Sequence, residues 1–285
     1  MHKILLEKPN FDQIFSVSLE IFKKNWKEMF KGCFIFLLII SLLEVFNYSS
    51  RDYLLSNNTF QEANSAIMVV NIFVRVVTIY LSAIPFIGIL YFVKDKLYES
   101  GEKSIKEYIE IAKSKAMIYM RTILIFTVSL IGIGLGTMVI LLPFICNGEK
   151  VIAIFALVVF LLICICLIIR YSTYWLFWKA TFVYQGMTGF DTLERSREIV
   201  SGNFWQIFLY NVIVLLIILT LNLVPILFLL SGYVILFYII NFVLAFINLF
   251  FIVFYSVYFL SFEAWHAQRT MRHDLKLTAD GEHKG

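Results

Sequence analysis

The chain has 285 residues, of which 60% are hydrophobic and 15% charged, and a formal net charge of +4; its mean hydropathy is +0.83. A water-soluble core of this size cannot hide that much apolar surface, so the composition excludes a soluble globular protein and describes an integral membrane protein. The apolar residues come in long runs instead of short alternating ones, which excludes an outer-membrane barrel.

Spanning the hydrocarbon takes about 20 apolar residues per helix. Six stretches meet that length, at about 29–48, 67–93, 118–145, 151–178, 204–230 and 233–262. Ahead of the first lies NFDQIFSVSLEIFKKNW, opening with Asn10 and Gln13 in the spacing of a helix capping box. Phe11, Ile14, Phe15, Leu19, Phe22 and Trp26 recur along it at helical intervals, so an amphipathic helix is expected. The N-terminal run MHKILLEKPN is too short in apolar residues for a cleaved signal. The first span is therefore expected to stay in the mature chain.

A charge near the centre of a span costs on the order of 2.5–3.5 kcal/mol, so each one needs a partner or a purpose. Glu44 lies 13 residues after Lys31 and Arg75 lies 19 before Lys94, or roughly 20 and 28 Å along their helices at about 1.5 Å per residue. Both depths fall towards the outer side, which predicts a Glu44–Arg75 ion pair closing the first hairpin.

The next segment, SIKEYIEIAKSKAMIYM, starts with Ser104 and Glu107 and carries Ile105, Tyr108, Ile109, Ala112, Ala116 and Met120 on one stripe. In the span that follows, Gly132 and Gly136 form a small-xxx-small pair, a helix-packing signal. Pro85, Pro143 and Pro225 are expected to kink or end their helices. Arg170 lies within the fourth apolar stretch, nine residues before Lys179, about 14 Å from the cytoplasmic edge by the same rise. Tyr171, Ser172, Thr173 and Tyr174 follow it directly. Asn211, six residues past Trp205, and Tyr255, eight before Glu263, reach similar depths on the fifth and sixth spans. Arg170, Tyr171, Tyr174, Asn211 and Tyr255 are the candidate anion or lipid pocket; the alternative is an Arg170 that snorkels to the interface.

The third charged segment, GFDTLERSREIVSGNFW, has Asp191 and Glu194 at capping-box spacing and a poorer stripe of Phe190, Leu193, Val200 and Phe204 that Arg197 interrupts. Its position predicts a cytoplasmic interfacial helix leading into the fifth span, with Trp205 at headgroup level. The three caps sit at Asn10, Ser104 and Asp191, at intervals of 94 and 87 residues, which reads as a weak internal repeat.

Basic residues orient the chain. Six precede or open the first span, seven fall in 94–121, three in 179–203 and four in the tail, against only Arg51 and Lys150 on the other side. Both termini are therefore expected in the cytoplasm, and the net positive charge matches anionic headgroups, with no nucleic-acid partner expected. The predicted fold is all-α and polytopic: six transmembrane helices as three hairpins, each preceded by a cytoplasmic amphipathic helix. It forms one domain over 1–265, with repeat units at about 10–98, 104–185 and 191–265 and a cytoplasmic tail at 266–285.

LGTMVILLPFI at 135–145, followed by RYSTYWLFWKATFVYQGMTGFDTLERSREIVSGNFWQIF at 170–208, resembles the six-helix bacterial membrane domain found attached to glycerophosphoryl diester phosphodiesterases, and related stand-alone inner-membrane families. The resemblance covers about 75 residues and implies a multi-pass protein of the bacterial cytoplasmic membrane. About 20 residues follow the sixth span, too few for the phosphodiesterase domain. Its hydrolytic activity is not implied.

Catalytic constellations are not evident. His2, His266, His273 and His283, and Asp12, Asp52, Asp95, Asp191, Asp274 and Asp280, all fall outside the predicted spans. No Walker-type glycine loop occurs, and Cys164 and Cys166 have neither a second cysteine pair nor nearby histidines to make a metal site. No cofactor and no metal are expected. The sequence thus points to a non-enzymatic component that supports a partner complex or envelope homeostasis. Its alternative is a carrier or lipid- or anion-binding protein using the polar pocket around Arg170. The expected partners are anionic inner-leaflet lipids, with a protein partner or a second copy also open.

Overall fold

A computed structural model describes residues 8–56, 62–98, 103–147 and 166–282, with isolated positions at 158, 162 and 164. Among these residues the chain is helical throughout, without strands. The helices are α1 (Phe11–Ser56), α2 (Glu62–Tyr98), α3 (Ile105–Asn147), α4 (helical over 166–174), α5 (Trp178–Gln185), α6 (Asp191–Ser201), α7 (Phe204–Leu230) and α8 (Val234–Glu282).

Four helical segments are long and apolar enough to cross a membrane: Phe11–Phe46, Met68–Tyr98, Phe204–Leu229 and Val234–Arg272. The six predicted spans are thus four among the described residues. The third predicted stretch lies within α3, where most side chains beyond 128 fall outside the described residues, as does most of the fourth, 151–178.

The predicted amphipathic helices need a correction. The first two are not separate elements: α1 runs unbroken for 46 residues, about 69 Å at 1.5 Å per residue, and α3 for 43. Neither a proline nor a turn sequence separates their charged segments from the apolar ones, so hydrogen bonding propagates through. Only α6 stands alone, because Gly202 and Asn203 break the ladder before Asn203 opens α7 by accepting the Ile207 N–H at 3.0 Å. Pro85 and Pro225, by contrast, lie inside α2 and α7 without ending them.

The caps differ as well. Ser104 and Glu107 make the predicted contact, the Glu107 carboxylate accepting the Ser104 N–H at 3.2 Å. Asp191, however, is the first helical residue of α6; the cap is Phe190, which makes no side-chain cap bond. Asp191 and Glu194 both fall in that first turn, where they offset the positive end of the helix dipole.

The chain divides into two compact units, 1–117 with 210–285 and 118–209. In the first, α1 packs on α2 and α8, and α2 on α8. Ile14, Ile21, Met29, Cys33 and Leu37 form the buried stripe of α1. The buried Ser18 and Ser261 return their hydroxyls to the carbonyls of Ile14 and Val257, at 2.6 and 2.7 Å. Ile105, Tyr108, Ile109, Ala112 and Ala116 are buried as the sequence stripe predicts. They pack closely: a Cβ on Gly32 would lie 2.7 Å from Ile105, and one on Gly88 3.1 Å from Ile109. Among the described residues nothing lies within 4 Å of a Cβ placed on Gly132; the side-chain surroundings of Gly136 lie outside the described residues.

Polar bonds reinforce this corner. The Glu28 carboxylate accepts the free Ile105 N–H at the start of α3 at 2.9 Å, Tyr108 donates to Asp95, and Lys115 donates to the Tyr91 hydroxyl at 2.5 Å.

Aromatic rings line the α1–α8 contact. Phe242, Phe246, Phe250, Phe254, Tyr258 and Phe262 recur every four residues on α8, forming the ridge that i, i+4 positions make on a helix. Phe11 meets Phe254, Phe15 meets Phe250, Phe22 meets Phe246 and Phe34 meets Phe242, at centroid separations of 5.7, 5.5, 5.8 and 6.3 Å. The descending order shows that the two helices run antiparallel. α7 and α8 are joined by Ser231–Gly232–Tyr233. There Gly232 takes φ +80°, and the N–H groups of Gly232 and Tyr233 close onto Leu229 and Phe228 at 3.0 and 2.9 Å, a Schellman ending that a side chain at this φ would strain.

Glu44 and Arg75, the predicted ion pair, both lie in this unit and are exposed, and no ion pair joins them. Helix rise gave their depths, but rotation about the axis decides contact. Val74 is buried, and the next residue, about 100° further round, is turned away from the core.

Phe246 touches Phe22, Trp26 and Phe30, and such ring pairs contribute about 0.5–1.5 kcal/mol each. Phe246→Ala should therefore lower stability in detergent by about 2–4 kcal/mol. Phe251→Ala, whose ring meets Phe250 on the same helix, should cost about 1 kcal/mol or less. Equal losses in thermal unfolding would contradict the seam.

Candidate functional site

The second unit is built around a break in the chain. α4 ends at residue 174, Trp175 to Phe177 form a turn, and α5 begins at Trp178. Such a break frees backbone groups that an apolar surround cannot satisfy. Ser196 on α6 satisfies two of them: its buried hydroxyl accepts the Phe177 N–H at 3.0 Å and donates to the Tyr174 carbonyl at 2.7 Å. Thr181 adds a second link from α5, donating to the Phe177 carbonyl at 2.8 Å, with Thr192 O of α6 at 3.3 Å. A ring cluster covers the other side of α5, with Tyr119 stacked on Trp178 at 5.6 Å and Phe126 edge-on to Trp178 at 5.0 Å. Burial lowers the Lys179 ammonium from its usual range.

These bonds hold α4 against α6 and create a half-open cavity of about 340 Å³. From α4 and the turn it receives Arg170, Tyr171, Tyr174 and Trp175; from α6 and the residue before it, Phe190, Leu193, Glu194 and Arg197. Its volume lies in the range of small-ligand clefts, about 300–1,000 Å³.

Tyr174 is the centre of its electrostatics. The Arg170 guanidinium carbon is 5.8 Å from the Tyr174 ring centroid and that of Arg197 is 6.0 Å from the same centroid, both within cation–π reach. Among the described residues neither guanidinium has a hydrogen-bond or ion-pair partner, and neither does the Glu194 carboxylate. The contrast lies on the same helix: Arg195 and Glu198 pair at 2.8 Å, while Glu194 and Arg197, at the same i, i+3 spacing, do not. Tyr171 and Trp175 add a second ring pair, at 5.0 Å.

Of the predicted pocket residues, the structure thus brings Arg170, Tyr171 and Tyr174 together. Asn211 and Tyr255 belong to the first unit, where the Tyr255 ring lies 6.0 Å from that of Phe86; they are not among the residues lining this cavity. Arg197, Glu194 and Trp175 were not anticipated. In the sequence Arg197 reads as a flaw in an apolar stripe. On α6 the buried face is Leu193, Ser196, Ile199 and Val200, and Arg197 falls beside it, on the cavity side. The spacing of Ser196 within SxxIV was the available signal. No group of three or more His, Cys, Asp or Glu residues able to hold a metal occurs among the described residues.

Comparison with protein-family models, with curated proteins and with solved structures gives no match to this chain.

Removing the Ser196 hydroxyl strands the Phe177 N–H and the Tyr174 carbonyl, each an unsatisfied buried group costing about 1–3 kcal/mol. Ser196→Ala should therefore lower the unfolding free energy by about 2 kcal/mol or more. Ser201→Ala, which removes an exposed bond to the Glu198 carbonyl, should stay within about 0.5 kcal/mol. Comparable behaviour of the two variants in thermal unfolding would show that Ser196 does not hold the cavity walls.

Proposed function

We propose that this chain is a non-enzymatic, six-span protein of the bacterial cytoplasmic membrane, with both termini inside. Its second unit binds a phosphate-bearing anion between Arg170 and Arg197, at the inner leaflet. One observation carries the reading: two guanidiniums share one tyrosine ring in an open cavity, and among the described residues neither is paired with a carboxylate, the nearby Glu194 included. A guanidinium at the depth expected for Arg170 is costly unless compensated, and its planar donors match phosphate oxygens better than an ammonium would.

The wider architecture rests on the six apolar stretches, the inward bias of basic residues and the resemblance of residues 135–145 and 170–208 to the six-helix membrane domain. α6 is suited to a membrane surface, with a buried apolar side, exposed charges and Trp205 just beyond it, itself 76% exposed. Of the two readings of the sequence, the cavity favours anion or lipid binding over a purely structural component. The cavity lining offers no acid–base pair for an enzymatic role: among its residues Glu194 is the one carboxylate and there is no histidine.

The test is titration of the purified chain in nonionic detergent with dihexanoyl phosphatidic acid and dihexanoyl phosphatidylglycerol, read as the shift in unfolding temperature. Charge-assisted hydrogen bonds contribute about 1.5–3 kcal/mol each, so Arg170→Gln and Arg197→Gln should each weaken binding at least tenfold while unfolding normally without lipid. Binding unchanged in both variants would refute the site.

A further inference from the structure

The cavity holds more than positive charge, and the chemistry of its remaining wall narrows the ligand. We infer that its occupant is a phosphate joined to an ammonium group, as in a phosphoethanolamine or phosphocholine headgroup, with Glu194 and the aromatic wall receiving the cation. This rests on the anion-binding reading above and adds the second half of the ligand.

Three observations carry it. First, the Glu194 carboxylate lines the same cavity as both arginines, yet pairs with neither. A site built for a simple anion gains nothing from a carboxylate, which repels it. A site built for a zwitterion needs one, because the ligand's cation must be matched once it leaves water. Second, the rest of the lining is four aromatic side chains, Tyr171, Tyr174, Trp175 and Phe190, with Leu193. Rings around a carboxylate are the surroundings that ammonium groups prefer, since the ring face is negative and the carboxylate supplies the full charge. Tyr171 and Trp175 are paired at 5.0 Å and are free of the two guanidiniums, whose ring contact is Tyr174. Third, Glu194 and Arg197 stand one turn apart on α6, where side chains three apart are neighbours. A phosphate held at Arg197 and an ammonium two carbons away can therefore be met by one helix face. The cavity of about 340 Å³ is roomy enough for such a headgroup, and it is half open, leaving a path for acyl chains.

The phosphate–ammonium unit could reach the cavity on a lipid or as a free metabolite, and the experiment separates the two. The purified full chain in nonionic detergent is titrated with the dihexanoyl forms of phosphatidylethanolamine, phosphatidylcholine, phosphatidylglycerol and phosphatidic acid, and with free phosphoethanolamine and inorganic phosphate. The wild-type protein should bind an ammonium-bearing lipid at least tenfold more tightly than phosphatidylglycerol. Glu194→Gln, isosteric and at an exposed position, should reduce that preference to about twofold or less, while binding of phosphatidylglycerol holds or improves. Arg197→Gln should weaken all of them. If free phosphoethanolamine matches the lipid, the headgroup chemistry is upheld and the source is soluble.

Wild-type protein that prefers phosphatidic acid or phosphatidylglycerol, or a Glu194→Gln variant with the wild-type ranking, would overturn the inference while leaving the phosphate site intact. If no phosphate compound binds, the anion-binding reading fails and this one with it.

Discussion

One buried hydroxyl sets the geometry on which the second unit depends. Where α4 gives way to α5 the backbone ladder is interrupted, and in an apolar surround interrupted backbone groups must be satisfied within the protein. Ser196 meets that demand from α6, taking the Phe177 N–H and giving its own proton to the Tyr174 carbonyl. The bond has a consequence beyond stability. It fixes α4 to α6 in a register that sets Arg170 and Arg197 around the same ring, so a structural requirement of helix breaking also assembles the charges of the cavity.

The first unit solves a different problem. Between helices in lipid the hydrophobic effect offers little, and association relies on packing and on polar contacts. Close approach at Gly32 and Gly88 brings Ile105 and Ile109 into the core, Glu28 caps α3 from α1, and rings from Phe11 to Phe34 interleave with rings from Phe242 to Phe254. Each device is directional, which is what an apolar solvent leaves available. The first unit joins Glu28, Asp95 and Lys115 to groups on neighbouring helices while Glu44 and Arg75 stay exposed; in the second, among the described residues, two guanidiniums and a carboxylate lining one cavity have no protein hydrogen-bond or ion-pair partner.

Much of this was legible in the sequence because periodicity reports burial directly. The stripe from Ile105 to Ala116 is buried as read, and the apolar run at 204–230 became α7 to the residue, whereas the run at 233–262 became only the first part of an α8 that continues to Glu282. What failed was information that a linear pattern does not hold. Depth along a helix was known for Glu44 and Arg75, but azimuth was not, and they do not pair. Capping-box spacing could not show that Phe190, and not Asp191, would end up outside the helix. The close contacts at Gly32 and Gly88 form with partners far away in sequence, which no glycine spacing announces. The four-residue aromatic repeat of α8 was visible from the start, but in a chain with 29 phenylalanines it did not stand out. Arg170 could be singled out because an arginine inside an apolar run is costly; Arg197, on a charged helix, carried no such mark until Ser196 showed which face of α6 turns inward.

The claim that one phosphate is held jointly by Arg170 and Arg197 is tested most directly by a double-mutant cycle on ligand affinity. Dissociation constants for dihexanoyl phosphatidic acid would be measured for the parent, Arg170→Gln, Arg197→Gln and the double variant. If the two guanidiniums grip the same group, loss of one also loosens the hold of the other. The double variant should then lose less than the sum of the single losses, by about 1 kcal/mol or more, as residues sharing a partner do. Losses additive within about 0.5 kcal/mol would mean that the arginines act on separate charges, and the shared site would have to be abandoned.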